Sequence, residues 1–311
     1  MSVPSAVVLD PPVDAREAAP ARLAPTRPLY WSVRRELWEN RSIHRAPLGV
    51  AVFSAVAMFV HAVTMPSHMP GMLANDPLLA PGAVTVIYRV PASLMLLTAF
   101  IVAVFYCLDA LSSERRDRSI LFWKSLPVSD GTTVLAKAIV PLVILPLVTF
   151  AAICAMHTAL LLMSIAARLV QGQGLASWWN ALQLFELWGA LLYAVVVMTL
   201  WHAPIHGFLL LVSGWARRTA ALWAILPLLA LGVIEYLTMN TMHVAAMVEH
   251  RVHGWYEEAF AIRVPESVPF SAPSTMDPGK FLATPGLWIG LALAAVFIAA
   301  AIRMRRYREP I

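Results

Sequence analysis

The sequence predicts an all-α membrane protein with six transmembrane helices and a cytosolic amphipathic interface helix before the first. Hydrophobic residues make up 59% of the 311 residues and charged residues only 13%, with a mean hydropathy of +0.70. A soluble domain carries about 25% charged residues, because its surface faces water. The apolar residues also fall into runs about as long as the roughly 30 Å core of a bilayer is thick. These two observations exclude a soluble globular domain.

The N-terminal 46 residues divide into two predicted segments. Residues 1–28 are rich in Pro and Ala and have no apolar stretch, so we predict a disordered cytosolic tail and no signal peptide. Residues 29–46 are predicted to form a helix in the membrane interface, since Trp31 and Trp38 fall on one apolar face. The polar residues on the opposite face are Arg35, Glu36 and Glu39. An irregular linker is the alternative for this segment.

Residues 47–311 are predicted to form one transmembrane domain of six spans. The apolar spans cover residues 47–65, 90–108, 134–165, 184–213, 220–237 and 287–302. The third span contains Pro141 and Pro146, and the fourth is predicted to be interrupted near Pro204. Both are long enough to tilt, kink or project beyond the bilayer.

The distribution of basic residues predicts the orientation. With both termini in the cytosol, 18 of the 23 Lys and Arg residues lie inside and five lie outside. This asymmetry satisfies the positive-inside rule. The basic pI of about 9.5 therefore reflects membrane topology, and we expect no nucleic-acid partner. The longest outer loop then covers residues 238–286.

The cytosolic loop at residues 110–133 has an unusual composition. With Asp109 just before it, the loop carries four acidic and four basic residues, which argues against a one-signed lipid-binding loop. A plain stop-transfer loop accounts for the arginines but not for the apolar run from Ile120 to Trp123, which needs lipid or a partner to cover it. We predict a short helix at residues 119–124, ended before Pro127, with Ser129 or Asp130 capping the next helix.

Three stretches of the chain resemble a bacterial branch of the type-2 ABC transporter permeases. They are SSERRDRSILFWKSLPVSDGTTVLAK at 112–137, PIHGFLLLVSGWARRTAALWAILPLLALGVIE at 204–235 and TPGLWIGLALAAVFIAAAIRMRRYRE at 284–309. The resemblance spans roughly residues 30–309 without most of the outer loop. Its motifs specify the family well and the transported substrate poorly.

The resemblance implies the membrane subunit of an ATP-driven exporter in a bacterial inner membrane. Two six-helix permeases, identical or homologous, would pair with two separate P-loop ABC ATPase subunits. The 110–133 loop would transmit ATP-driven motion to the helices. The loop residues implied at the ATPase interface are Glu114, Arg115, Arg116, Asp117, Arg118, Ile120, Phe122, Trp123 and Leu126. The interface helix would contribute Trp31, Arg35, Glu36, Trp38 and Glu39.

The chain itself contains no phosphate-binding loop. Such a loop needs glycines before a Lys-Ser or Lys-Thr pair, and the Gly279–Lys280 pair is followed by Phe281. We therefore expect no enzymatic activity and no cofactor in this chain, with ATP and Mg²⁺ bound by the partner ATPase.

Three ionisable residues within or at the ends of spans are candidates for a substrate pathway: His157, Glu186 and Glu235. Ionisable groups at membrane depth are costly and often mark a pathway. Helix anchoring is the alternative, because carboxylates at the interfacial zone cost little. Glu235 also matches a glutamate in the family that the chain resembles.

Two rival functions remain open from sequence. A membrane-embedded metal hydrolase would use the outer histidines of EHRVHGWYEE at 249–258. His202 and His206, one turn apart, are a separate candidate pair of metal ligands. The outer segment does not match the zinc-hydrolase pattern, and the second pair has no evident third ligand, so we predict no metal. An ion-coupled secondary transporter would need midplane ionisable residues and internal repeats.

The two cysteines, Cys107 and Cys154, fit buried apolar positions.

Overall fold

A computed structural model describes residues 26–64, 88–117, 119, 120, 122, 128–170, 179–216, 219–261 and 275–307. This part of the chain is almost entirely helical and contains six helices that are long and apolar enough to cross a membrane. The predicted all-α membrane fold is thereby confirmed. The predicted tail lies mostly outside the described residues.

The first two helices meet at a short turn. Helix α1 covers Thr26–Glu39 and α2 covers Ser42–Thr64. The first membrane span therefore begins earlier than Pro47, where the sequence predicted it. The first turn of α2 is held by packing, because Ile43 is fully buried in the largest core cluster.

The second and third spans are joined by the segment that the sequence analysis singled out. Helix α3 covers Val90–Ala110 and is followed at once by a short helix, α4, at Ser112–Arg116. Helix α5 then starts at Asp130 and ends at Ile139. The predicted cap is confirmed, since the Ser129 hydroxyl accepts a hydrogen bond from the Thr132 backbone N–H at 3.1 Å.

The third span changes its helical geometry where its prolines lie. A π-helical turn at Val140–Ile144 contains Pro141 and separates α5 from α6, which covers Leu145–Val170. A proline lacks the N–H that an α-helix needs at that position, and a π-helical turn is one way to accommodate this inside a continuous span.

The fourth span is one helix, α7, at Trp179–Trp215. Its 37 residues rise about 55 Å at roughly 1.5 Å each, so α7 extends well beyond a bilayer core. The interruption predicted near Pro204 is absent, and α7 continues through the proline. Close packing of the last helix supports this region: a Cβ at Gly207 would lie 3.1 Å from the Ala294 carbonyl oxygen.

The outer loop predicted at 238–286 contains helices that turn back along the bundle. Helix α8 covers Ala220–Met239, and Asn240, with φ of 52°, ends it in the left-handed conformation. The segments that follow are α9 at His243–His253, α10 at Trp255–Ala259, a two-residue antiparallel pairing of Phe260–Ala261 with Thr275–Met276, and α11 at Pro278–Ala283. The last span is α12, at Pro285–Tyr307.

Helix α9 returns from the end of α8 to the middle of α7. The Trp201 indole donates a hydrogen bond to the His250 carbonyl at 3.4 Å, and a ring nitrogen of His202 lies 3.0 Å from the Val252 carbonyl oxygen. A buried cluster forms there from Trp201, Trp255, Phe260, Phe281 and Leu287. Helices α9–α11 therefore pack against α7 and the start of α12.

Candidate functional site

A cluster of buried charges lies at the end of the bundle where α1, α4, α5 and α12 meet, which we call the charged end. Its members are Glu36 of α1, Glu114 of α4, Lys137 of α5 and Arg305 of α12, with Arg35 and Asp130 at its edge. The four central residues are each less than a tenth exposed: Glu36 is 1%, Lys137 2%, Glu114 5% and Arg305 8% exposed. We call these six residues the charged cluster.

The charged cluster joins its elements through direct ion pairs. The Lys137 ammonium lies 2.9 Å from the Glu36 carboxylate and 3.1 Å from that of Glu114. Arg305 contacts Glu114 at 2.5 Å and Asp130 at 3.0 Å. Arg35 lies 3.3 Å from Glu114. The carboxylate of Glu114 is thus the common partner of three basic residues on three different helices.

The cluster balances its charges and satisfies its acceptors. Three carboxylates face three cations, and the Tyr106 hydroxyl of α3 donates a further hydrogen bond to Glu36 at 2.9 Å. Buried charges are tolerated when they are paired and hydrogen-bonded, and removing one partner leaves a charge uncompensated. Burial by itself lowers the pKa of Arg35, but the neighbouring carboxylates, led by Glu36, outweigh it and raise this pKa. Arg35 therefore stays a cation at any relevant pH.

A second connection ties α4 to the end of α7. The Ser213 hydroxyl accepts hydrogen bonds from the backbone N–H groups of Leu111 and Ser112, both at 3.0 Å, at the start of α4. In return, the Arg115 guanidinium donates to the carbonyl oxygens at the end of α7, those of Ser213, Gly214 and Ala216. Helix ends leave backbone N–H and C=O groups without partners inside the helix. Here a side chain of α7 binds N–H groups at the start of α4, and a side chain of α4 binds carbonyl oxygens at the end of α7.

The charged cluster and this connection divide the predicted ATPase-interface residues of the loop into two groups. Glu114, Arg115 and Ile120 face other elements of the same chain. The side chains of Arg116, Asp117 and Phe122 are exposed, at 69%, 64% and 59%. The side chains of Arg118, Trp123 and Leu126 lie outside the described residues.

The predicted interface helix presents its apolar face outward and its polar face to the bundle. Trp31 and Trp38 are 55% and 66% exposed, and the Arg34 guanidinium lies over both rings, at 5.2 and 4.7 Å from their centroids. Arg35 and Glu36, on the other face, join the charged cluster, while Glu39 remains half exposed. A helix on the surface of a soluble protein turns its apolar face to the core and its polar face outward. Helix α1 does the opposite, as expected for a helix that lies against lipid.

The three candidate pathway residues lie in different surroundings. His157 is buried and lines a cavity between α3, α6 and α7. Glu186 is exposed on α7. The Glu235 carboxylate accepts hydrogen bonds from the Thr241 hydroxyl and from the backbone N–H groups of His243 and Val244. Glu235 therefore caps the start of α9, which agrees with the anchoring alternative.

The histidines considered as metal ligands do not converge. His202 places its two ring nitrogens 2.7 and 3.0 Å from the carbonyl oxygens of Met198 and Val252. The ring of His206 is centred 6.5 Å from that of His202. Within the described residues, no three His, Cys, Asp or Glu side chains are grouped closely enough to hold a metal ion.

Sequence reasoning missed several residues that the structure brings to this site: Lys137, Arg305, Asp130, Ser213 and Tyr106. One signal was present for Lys137, because a lysine beside a long apolar run is costly unless it has a partner. Arg305 was used only to orient the chain. Its contact with Glu114 joins residues 191 positions apart, which no local pattern reveals.

The fold thus defines an all-α, multi-pass membrane protein whose elements are joined by ion pairs at one end. The chain has no match among protein-family models, curated proteins or solved structures.

Proposed function

We propose that this chain is the membrane-spanning permease subunit of a type-2 ATP-binding cassette transporter. It would move a substrate across a bacterial inner membrane, with both termini in the cytosol, using ATP hydrolysed by a separate P-loop ATPase subunit. The charged end would then be the cytosolic end. The proposal rests on the resemblance of three sequence stretches and on the contacts of α4.

The observation that carries the proposal is the connection of one short helix to four others. Glu114 pairs with Lys137 of α5, Arg305 of α12 and Arg35 of α1, and its neighbour Arg115 binds the carboxyl end of α7. A displacement of α4 therefore acts on the third, fourth and sixth spans at once. A membrane subunit that is driven by a separate ATPase needs a rigid connection of this kind between the segment that the ATPase contacts and the transmembrane helices that move.

The exposed residues that follow α4 supply the surface for the motor. Phe122 offers apolar area, and Arg116 and Asp117 offer charges of both signs beside it. Protein interfaces combine a buried apolar contact with charged residues that fix its register. In this proposal Glu114 and Arg115 hold the loop from inside, and the exposed residues contact the ATPase.

The interface helix α1 would lie between lipid and bundle. Its exposed tryptophans face the lipid headgroup region, and its polar face holds the charged cluster.

The proposal also includes a second copy of the permease or a homologue as a partner. Among the described spans, α8 has the smallest buried share, and its buried residues are Ala220 and Ala224 near its start.

A purification experiment tests the proposed coupling surface. The tagged chain is extracted from its own membrane into nanodiscs, and co-purifying proteins are identified and assayed for vanadate-sensitive ATP hydrolysis. We expect a P-loop ATPase with the wild-type chain and a loss of about tenfold or more with Phe122→Ala/Trp123→Ala, because the apolar area at the contact is removed.

The matched control is Tyr307→Ala, which removes an exposed aromatic ring at the charged end but outside the loop. It should retain the ATPase at the wild-type level. If the double variant holds its ATPase as tightly as the control does, the loop is not the coupling surface. If no ATPase accompanies the wild-type chain, the transporter proposal is wrong.

Neither rival gains a specific observation. The described residues contain no metal-ligand group of three. The four charged side chains that are buried among them, Glu36, Glu114, Lys137 and Arg305, lie at one end of the bundle and pair with each other.

A further inference from the structure

A second site lies in the half of the bundle opposite the charged end. A half-open cavity of about 80 Å³ is lined by the start of α3, by α6, by α7 and by the segment from α10 to Phe260. Its lining is mostly apolar, with Ala92, Leu96, Leu191 and Ala194, and also carries Arg89, Ser93 and Tyr256. His157 supplies a polar group to this lining. We call this space the His157 cavity.

The hydrogen bond of His157 fixes which proton its ring carries. The Nε2 atom lies 3.0 Å from the Tyr88 carbonyl oxygen. A carbonyl oxygen only accepts, so Nε2 must carry the hydrogen and donate it. In the neutral ring Nδ1 is then a hydrogen-bond acceptor.

This acceptor is buried and lacks a hydrogen-bond partner. The Nδ1 atom has no partner within the described part of the chain, and the residue is 1% exposed. The nearby Ser93 hydroxyl, which also lines the cavity, already donates to the Arg89 carbonyl at 2.8 Å. Since buried polar atoms are almost always hydrogen-bonded, a molecule in the cavity that donates a hydrogen bond would complete the site.

The size and lining of the cavity restrict what that molecule is. A buried water needs about 10–15 Å³ and two to four polar partners; this cavity is several times larger and mostly apolar. An apolar cavity of roughly 150 Å³ holds a benzene molecule, so about 80 Å³ receives one end of a molecule and not a bulky one. An aliphatic chain that carries a hydroxyl group meets both conditions.

We propose that the His157 cavity binds the end of an aliphatic molecule whose hydroxyl group donates a hydrogen bond to Nδ1 of His157. A membrane lipid with free hydroxyl groups and a free aliphatic alcohol share this chemistry. The binding requires only this chain, so it stands or falls separately from the proposed ATPase coupling.

Photolabelling of the purified chain tests the site. The chain is placed in nanodiscs of phosphatidylcholine, whose lipids carry no hydrogen-bond donor, and labelled with a ten-carbon 1-alkanol bearing an aliphatic diazirine. We expect the label on peptides that contain Ala92 to Leu96, His157 or Leu187 to Ala194. Unlabelled 1-decanol should compete about tenfold better than nonyl methyl ether, which matches its length but donates no hydrogen bond.

Three variants make the test specific. His157→Phe keeps a ring of similar size and should weaken labelling about tenfold, whereas Ala190→Leu fills the cavity and should abolish labelling while leaving His157 in place. His44→Phe, near the charged end, should label as the wild type does. Circular dichroism establishes whether each variant is folded. If His157→Phe does not fold, the labelling of Ala190→Leu tests the proposed site.

Equal competition by 1-decanol and nonyl methyl ether would overturn the proposal, and so would unchanged labelling of Ala190→Leu. An experimental density map that shows only water at Nδ1 of His157 would also overturn it. A final arm identifies the source of the ligand. If nanodiscs that contain phosphatidylglycerol, with its glycerol hydroxyls, block the label, the site is filled by a membrane lipid. If they do not, but 1-decanol still competes, the ligand is a free amphiphile.

Discussion

Glu114 shows how a single buried residue organises the charged end. Its carboxylate contacts Lys137, Arg305 and Arg35, which lie on three different helices. Bringing a carboxylate out of water costs several kcal/mol, and good geometry with all partners is needed to offset that cost. The residue was predicted from sequence to contact an ATPase. The structure gives it partners within its own chain.

Removing this carboxylate should destabilise the fold far more than removing an exposed one. We expect Glu114→Ala to lower the free energy of unfolding by about 3–5 kcal/mol, because three cations lose their common counter-charge. The measurement is thermal or denaturant unfolding of the purified chain in nanodiscs.

Glu39→Ala is the matched control, since the Glu39 side chain is 51% exposed and its contact with Arg35 is long, at 3.6 Å. Its effect should stay within about 0.5 kcal/mol. Similar losses for Glu39→Ala and Glu114→Ala would show that the charged cluster does not hold the helices together.

At the scale of elements, α9 is attached to the bundle at both of its ends. Glu235 caps its start, and near its end Arg251 reaches α12. The Arg251 guanidinium lies 4.7 Å from the centroid of the Trp201 ring and donates to the Gly286 carbonyl at 3.1 Å. Burial lowers the pKa of Arg251. Its position depends on Gly290, because a Cβ there would lie 1.5 Å from Nη2 of Arg251.

A methyl group at Gly290 should therefore move the end of the Arg251 side chain away from Trp201 and Gly286. We expect Gly290→Ala to lower the free energy of unfolding by about 1 kcal/mol, because the cation–π contact and the hydrogen bond of Arg251 are lost. In an Arg251→Met background the same change should cost less than about 0.5 kcal/mol, and this non-additivity is the measured result.

Gly189→Ala is the control for backbone effects. A Cβ at Gly189 meets nothing within 4 Å, and alanine favours a helix by about 1 kcal/mol over glycine, so this variant should be neutral or slightly stabilised. If Gly290→Ala behaves in the same way in both backgrounds, the contact between α9 and α12 is not formed.

At the scale of the whole molecule, the arrangement of the spans has a testable orientation. The charged cluster, the end of α7 and the end of α12 share one side of the bundle, and the turn from α8 to α9 lies on the other. The positive-inside rule predicts that the first side faces the cytosol. In the proposed function, this orientation would also determine which surface the ATPase reaches.

Single cysteines in a Cys107→Ala/Cys154→Ala background report the orientation. An impermeant maleimide should label Arg303→Cys in inverted vesicles and His243→Cys in right-side-out cells. Both residues are exposed, and they lie at opposite ends of the bundle. The reverse pattern would place the 110–133 loop outside and remove the ATPase from its reach.

The class of the protein follows from residue types alone, because burial in lipid requires long apolar runs and few charges. Local features such as the Ser129 cap, whose partner is three residues away, are also readable from the sequence. Three other features are visible only in the folded chain: Glu114 faces inward, α7 continues through Pro204, and the outer loop returns to the middle of the bundle. These outcomes depend on contacts between residues far apart in the chain, and no pattern of neighbouring residues encodes which distant side chains will meet.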